Sequence, residues 1–256
     1  MARTIRLLDL VPIVYTESIK AAIRDREGLA KRLEDETNGL VKMDVATLEK
    51  GTASIESAFD EYVNAPYMLK KIKWAEDSGY DAVVIDCFGD PALDAAREIV
   101  GIPVVGANHA STFLAAQVAQ RFSIINILPE TEPLVRSLLA KYGLLGHLAS
   151  IETINVPVLE LEREPKTTLD RIVEAAERAY RDHGAYAVVL GCTGMSSLAE
   201  MAQERLREKG IDIPVIEPLR AAVYTAISWV LMGVSHSREA YKPPRPKARI
   251  VDFDLP

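Results

Sequence analysis

Cysteine is scarce in this chain: 256 residues carry two, Cys87 and Cys192. Two thiols cannot form the disulfide framework of a small secreted domain, and no His/Cys cluster has the spacing of a zinc site, so no metal is expected. No Lys/Arg block stands out against a net charge of −7, which argues against a nucleic-acid partner. The longest apolar stretch, residues 221–234, contains Tyr224, Thr225 and Ser228 and is too short to span a bilayer. Neither a Gly-x-Gly-x-x-Gly run nor a phosphate-binding loop occurs. The amino terminus shows no apolar core followed by a cleavage site, so the expectation is a cytoplasmic protein with free thiols and no membrane partner.

What the chain does have is a repeat. Residues 79–93 read Gly-Tyr-Asp-Ala-Val-Val-Ile-Asp-Cys-Phe-Gly-Asp-Pro-Ala-Leu, and residues 184–198 read Gly-Ala-Tyr-Ala-Val-Val-Leu-Gly-Cys-Thr-Gly-Met-Ser-Ser-Leu. Laid over each other without a gap, Gly79 meets Gly184, Cys87 meets Cys192, Gly89 meets Gly194 and Leu93 meets Leu198. The two cysteines thus occupy one position of a duplicated unit. Each unit opens on an apolar run without alternation, as in a strand buried on both faces of a parallel sheet. Each cysteine follows that run and precedes a helix start: Asp90-Pro91 reads as a cap with proline at the first helical position, and Ser197 with Glu200 as a capping box. Ligands of open α/β sheets bind at such strand ends, and a helix amino terminus there favours thiolate.

Read in order, residues 3–12 form a strand ending at Pro12, 16–36 a charged helix weakened at Gly28, and 40–48 a strand. A loop leads to a helix over 55–77 that Pro66 should kink or split. The strand to Cys87, a helix to Val100, a short strand at 102–106 and a helix at 107–120 complete the first pass. The order then recurs: strand 122–129 with Pro129 in the place of Pro12, helix 130–142, a strand within 149–161, and helix 168–183 capped by Thr167 or Thr168. The Cys192 strand and its helix follow, then a strand at 213–216 echoing 102–105 and a helix from Arg220. The tail, 242–256, is proline-rich and read as extended.

Alternating strands and helices in two similar halves imply an α/β fold of two pseudo-twofold-related lobes, each a mostly parallel sheet flanked by helices, with the active site in the cleft between them. The expected division is 1–106 plus 217–256 for one lobe and 107–216 for the other, with hinges near Gly106 and Glu217. Under the pseudo-twofold, Cys87 and Cys192 face each other across a bound ligand. Two opposed thiols suit inversion of a stereocentre bearing an acidic C–H: one thiolate removes the proton, and the other thiol returns one from behind. Backbone N–H groups at the helix starts would stabilise the enolate-like intermediate. The implied partner is a small-molecule substrate, and no cofactor is needed.

Ser54-Ile55-Glu56-Ser57 with Asp60, Cys87-Phe88-Gly89-Asp90-Pro91 and Gly191-Cys192-Thr193-Gly194-Met195 resemble the hydantoin racemase branch of the aspartate/glutamate racemase superfamily. The resemblance runs over about 51–222. It implies the two-lobed fold, Cys87 and Cys192 as catalytic acid/bases, no metal or pyridoxal cofactor, and assembly as a homo-oligomer. Where related enzymes often end the first strand in Asn-Pro-Asn, this chain has Val11-Pro12-Ile13. After the short fourth strand it has Asn108-His109 where an acidic residue is usual. Candidate substrate contacts are Pro12, Ile55, Phe88 and Gly89, with Ser54, Thr193 and Gly194; Met195 is a further candidate for the substituent pocket.

Free amino acids have a weakly acidic α-hydrogen, and their racemases tend to place extra carboxylate or histidine beside the cysteines. No histidine flanks Cys192, and strand alternation points Asp86 away from the side of Cys87. A 5-substituted hydantoin or a related cyclic ureide such as allantoin is therefore the expected substrate. An amino-acid racemase, a decarboxylase or isomerase on the same scaffold, and a two-lobed binding protein stand as alternatives. His109, at a helix start facing the cleft, is read mainly as structural; His147, His183 and His236 are read as turn or surface residues, and Glu217 as a strand-to-helix turn residue.

Overall fold

A computed structural model describes residues 3–161 and 163–250. The first half runs β1 (Ile5–Val14), α1 (Lys20–Glu36), β2 (Val41–Leu48), α2 (Ala58–Asp77), β3 (Ala82–Ile85), α3 (Leu93–Ile99), β4 (Val104–Gly106) and α4 (Ala107–Val118). The second runs β5 (Phe122–Asn126), α5 (Glu132–Tyr142), β6 (Leu148–Thr153), α6 (Pro165–His183), β7 (Ala187–Leu190), α7 (Ala199–Glu208), β8 (Val215–Ile216) and α8 (Pro218–Met232). The strands form two four-stranded sheets in the orders β2-β1-β3-β4 and β6-β5-β7-β8, and the paired strands are parallel. The repeat seen in the sequence is thus a repeat of topology.

β3 and β7 show why the apolar runs carry no alternation. All four residues of each are buried, because helices cover both faces of each sheet. α1 buries Arg26, Leu29 and Leu33, a stripe at helical spacing. α4 and α8 pack on each other; α8 also lies on β3 and β4, and α4 reaches β7. One hydrophobic cluster accordingly joins Leu7 and Val84 of the first sheet to Ile124 and Val189 of the second through Ala110 and Ala222.

Several local expectations are corrected. β1 continues through Pro12 to Val14, with an irregular register beyond Leu10. Neither Gly28 nor Pro66 breaks its helix. Gly28 is exposed, and the stripe beside it holds α1 together; α2 buries Asn64, Met68, Ile72 and Ala75 around Pro66. α2 starts at Ala58, capped by Ser57, whose hydroxyl oxygen accepts the Asp60 N–H at 3.2 Å. Asp90 does not cap α3, which begins only after Ala92, and both Asp90 and Ala92 have positive φ. Ser197 and Glu200 form no capping box: a 3-10 helix, Thr193–Leu198, intervenes, and Glu200 pairs with Arg220 at 2.7 Å. α6 begins at Pro165 without a side-chain cap, and Thr168 is buried, donating to the Leu161 carbonyl at 3.1 Å. Residues 242–250 form no regular element, and the end of the tail, 251–256, lies outside the described residues. Among the described residues no helix is long and apolar enough to cross a membrane.

Candidate active site

Cys87 and Cys192 stand two residues beyond the ends of β3 and β7. In each sheet the chain leaves the first strand to one side and returns to the other, so the crevice between first and third strand is a topological switch point, where open α/β sheets bind ligands. The two switch points open onto one cavity of about 110 Å³. Val11, Pro12 and Ile13 line it from the end of β1, and Asn126 and Ile127 from the end of β5. Both cysteines line it, and both are free.

The surroundings of the sulfurs repeat as well. The Gly194 N–H donates to Cys192 Sγ at 3.3 Å, and the Gly89 N–H does the same for Cys87. These amides favour thiolate, yet burial outweighs them. It pushes the Cys87 thiol well above its ordinary value, and the nearby Glu61 carboxylate pushes the same way. Cys192 is pushed up to about 11, again chiefly by burial, with the Gly194 N–H and the Arg26 guanidinium opposing. The expected depression of both thiols by helix dipoles is therefore corrected: removal from water is the larger effect.

The buried Arg26 ties the two cysteine loops together. Its Nε donates to Asp86 Oδ2 at 2.6 Å, and its Nη2 donates to the Thr193 carbonyl at 3.1 Å. Asp86 immediately precedes Cys87, and Thr193 immediately follows Cys192. The Thr193 hydroxyl donates to the Asp86 carbonyl at 3.3 Å, closing the link. Asp9 lies in the same buried cluster with neither carboxylate oxygen hydrogen-bonded, and burial followed by the Asp86 charge pushes its carboxyl well up. Glu56 spans the cleft elsewhere, its Oε1 accepting the Val158 N–H at 2.7 Å.

The cavity gathers Pro12, Ile55, Phe88, Gly89, Thr193 and Gly194, six of the residues singled out from sequence. Ser54 does not line it; its carbonyl accepts the Thr52 hydroxyl at 2.6 Å. Met195 is fully buried in the second lobe's core, away from the cavity, because the 3-10 helix turns it inward. His109 is packed between Phe113 and Tyr142 and lies outside the lining, and burial lowers its pKa to about 4. Glu217 caps α8 by accepting the N–H groups of Leu219 and Arg220. His236 is buried, not a surface residue: Nε2 lies 2.9 Å from the Val100 carbonyl.

The family model for Asp/Glu/hydantoin racemases matches residues 14–226. The chain belongs to the Asp/Glu/hydantoin racemase family. It is 40% identical to a hydantoin racemase of Rhizobium meliloti over 77% of this chain and 80% of the relative. It is 38% identical to one from a Pseudomonas species over 77% and 78%. The structure of allantoin racemase from Klebsiella pneumoniae superposes with a TM-score of 0.85 at 34% identity, covering 98% of each chain. The protein is thus a racemase, an isomerase acting on a small molecule.

Three features of the racemase cavity lay beyond the sequence reading. Arg26 had one signal, a charge within the apolar stripe of α1. Glu61 had none, since it follows the Ser57 cap as an ordinary first-turn acid. Leu134, Val135 and Leu138 of α5 form an apolar wall that only the packing of the halves brings to the site.

Proposed function

We propose that this racemase inverts the ring stereocentre of a cyclic ureide, a 5-substituted hydantoin or an allantoin-like ring, with Cys87 and Cys192 as opposed acid/bases. The observation carrying the proposal is that both sulfurs, at equivalent strand ends, line a single small cavity. One thiolate takes the ring C–H proton and becomes a thiol. The negative charge spreads onto the adjacent ring carbonyl, and the other thiol delivers its proton to the opposite face of the same carbon and is left as thiolate. One proton enters the protein and one leaves it, so the reaction as written uses no cofactor. The Gly89 and Gly194 N–H groups point at sulfur, where they stabilise whichever thiolate is present. Pro12, Ile55 and Phe88 contact the substituent, while Thr193 and the two glycines flank the ring.

The lining also favours a neutral ring over a free amino acid. Arg26 is its one basic side chain among the described residues, and its donors are engaged by Asp86, the Ala22 carbonyl and the Thr193 carbonyl. Nothing positive is left over for an α-carboxylate, and Glu56 and Glu61 repel one. The expectation that no carboxylate stands beside the thiols is corrected, because Glu61 is close to Cys87; the preference for a neutral ring comes from the engaged guanidinium. The similar proteins include hydantoin racemases and an allantoin racemase, which agrees with a ureide ring.

The test is chiral chromatography on a panel of 5-substituted hydantoins, allantoin and free amino acids, run in D₂O. Ureides racemise with uptake of deuterium at the stereocentre, and C87S or C192S lowers the rate by roughly 100-fold to 10,000-fold, the usual weight of positioned acid/base groups. Racemisation surviving both replacements, or confined to free amino acids, overturns the proposal.

A further inference from the structure

The two thiols occupy equivalent positions, yet their neighbours differ in kind. A Cβ placed on Gly89 would lie 2.3 Å from Glu61 Oε1 and 3.7 Å from Cys87 Sγ, so that oxygen and sulfur are within 6.0 Å of each other. A Cβ placed on the equivalent Gly194 would lie 3.4 Å from Cys192 Sγ and 2.9 Å from a methyl of Leu161. At this position one cysteine has a carboxyl group where its counterpart has a hydrocarbon; Glu56, a carboxylate that acts on Cys192, is held by the Val158 N–H. Glu61 lines the cavity from the first turn of α2 and, among the described residues, enters none of the side-chain hydrogen bonds or ion pairs that hold its neighbours Ser57 and Asp60. A half-buried carboxyl without a partner is costly to keep, which points to a use.

We propose that Glu61 is the proton partner of Cys87: its carboxylate receives the proton that Cys87 has collected and hands it to solvent, returning Cys87 to thiolate between turnovers. The inference rests on the reading of the two cysteines as opposed acid/bases. After each inversion the sulfur that took the substrate proton is a thiol and the other is a thiolate. Another turnover in the same direction needs the opposite arrangement. The Cys87 S–H bond breaks and a Glu61 O–H bond forms; that proton then leaves to water, and Cys192 thiolate regains one from water, so protons balance. The groups acting on Glu61 are Asp90 and Cys87 from the loop after β3 and Asp60 on its own helix, while α5 across the cavity presents Leu134, Val135 and Leu138. With no cation among them and with burial the largest influence, the Glu61 carboxyl is pushed up to about 7, where it can both take and release a proton near neutral pH.

The first measurement needs no substrate. In C192S the remaining thiol is Cys87, and its alkylation by iodoacetamide is followed against pH. Adding E61Q removes the anion beside it, and the midpoint falls by about 1 pH unit or more; E61D, which keeps the charge, leaves the midpoint near that of C192S alone. The second is turnover: in the otherwise native chain E61Q lowers kcat at least about tenfold with KM little changed, the pattern of a lost proton-transfer step. An unmoved alkylation midpoint, or a raised KM with kcat intact as for a group that merely binds a ring N–H, overturns the proposal. Far-ultraviolet circular dichroism establishes that each variant is folded. A native chain that racemises no ureide while the alkylation midpoint still moves sinks the substrate reading and leaves the coupling of Glu61 to Cys87 standing.

Discussion

Glu61 is a carboxyl that the fold would be more stable without. Its pKa rises from 4.5 to about 7, burial being the main cause, then the charges of Asp90 and Asp60. Between those values the folded protein holds a proton that the unfolded chain has lost, so stability falls as pH rises through the window, and the full penalty applies above it. E61Q removes the penalty. Because solvent reaches part of the group, the gain at pH 8 is about 1–2 kcal/mol, and near pH 4.5 it vanishes. Thermal melts at the two pH values check this, and a gain in stability alongside a loss of kcat is the signature of a group kept for chemistry. The thiols have a pH consequence of their own. Burial pushes both thiols up, Cys192 to about 11, and Cys87 well above its ordinary value with the Glu61 charge adding to the rise. The one-thiolate form becomes more populated as pH rises, so kcat/KM increases from pH 7 towards pH 10; a profile that falls over that range contradicts the assignment. At this scale the sequence revealed the cysteines, because two rare residues shared one repeat position. It concealed Glu61, because what makes that acid unusual is a sulfur 26 positions away on another element.

Among the elements, Asp90 shows how a local signal can be right about chemistry and wrong about the partner. Asp-Pro reads as a helix start, and Asp90 does cap a helix, but the helix is α4. Its Oδ1 accepts the Asn108 N–H at 3.0 Å and its Oδ2 accepts the His109 N–H at 2.8 Å and the Tyr142 hydroxyl at 2.7 Å. The carboxylate reaches α4 because Gly106 leaves it room: a Cβ there would lie 2.3 Å from Oδ1. D90A therefore costs about 2 kcal/mol, the value of a strong cap plus a lost charged hydrogen bond. G106A drives the carboxylate out and should cost a similar amount in the native background, but much less in D90A. A double-mutant cycle on thermal melts measures that coupling, and additive effects would show that the two positions do not share the same space. The order of strands and helices was legible, since buried parallel strands and amphipathic helices differ in period. The positions of breaks were not: Gly28 and Pro66 weaken a helix locally, but the buried residues beside them decide whether it continues.

The halves of the molecule share no sheet, so their alignment at the cleft depends on the α4–α8 core and on a few polar ties. The repeat made the two halves visible, but not the tie between them: Arg26 lies in no motif and is 167 positions from Thr193. Arg26 does two jobs at once. It neutralises Asp86 in a cluster that also contains Asp9 and Glu217, and it holds the loop of Cys192 against the loop of Cys87. The two jobs separate in mutants. R26M leaves Asp86 charged, buried and unpaired, which costs about 3–5 kcal/mol. R26M/D86N removes that charge and should recover most of the stability, because an ion pair exchanged whole for neutral groups loses little. Racemisation should stay low in the double variant even so, since the guanidinium no longer ties the Thr193 carbonyl to the Cys87 loop, and Cys192 has lost the one cation that eases its ionisation. Melting temperature and kcat/KM measured on both variants distinguish the two roles. Recovery of both together would mean that Arg26 serves the fold alone, whereas recovery of stability without turnover would show that this one guanidinium keeps the two sulfurs in register across the cleft.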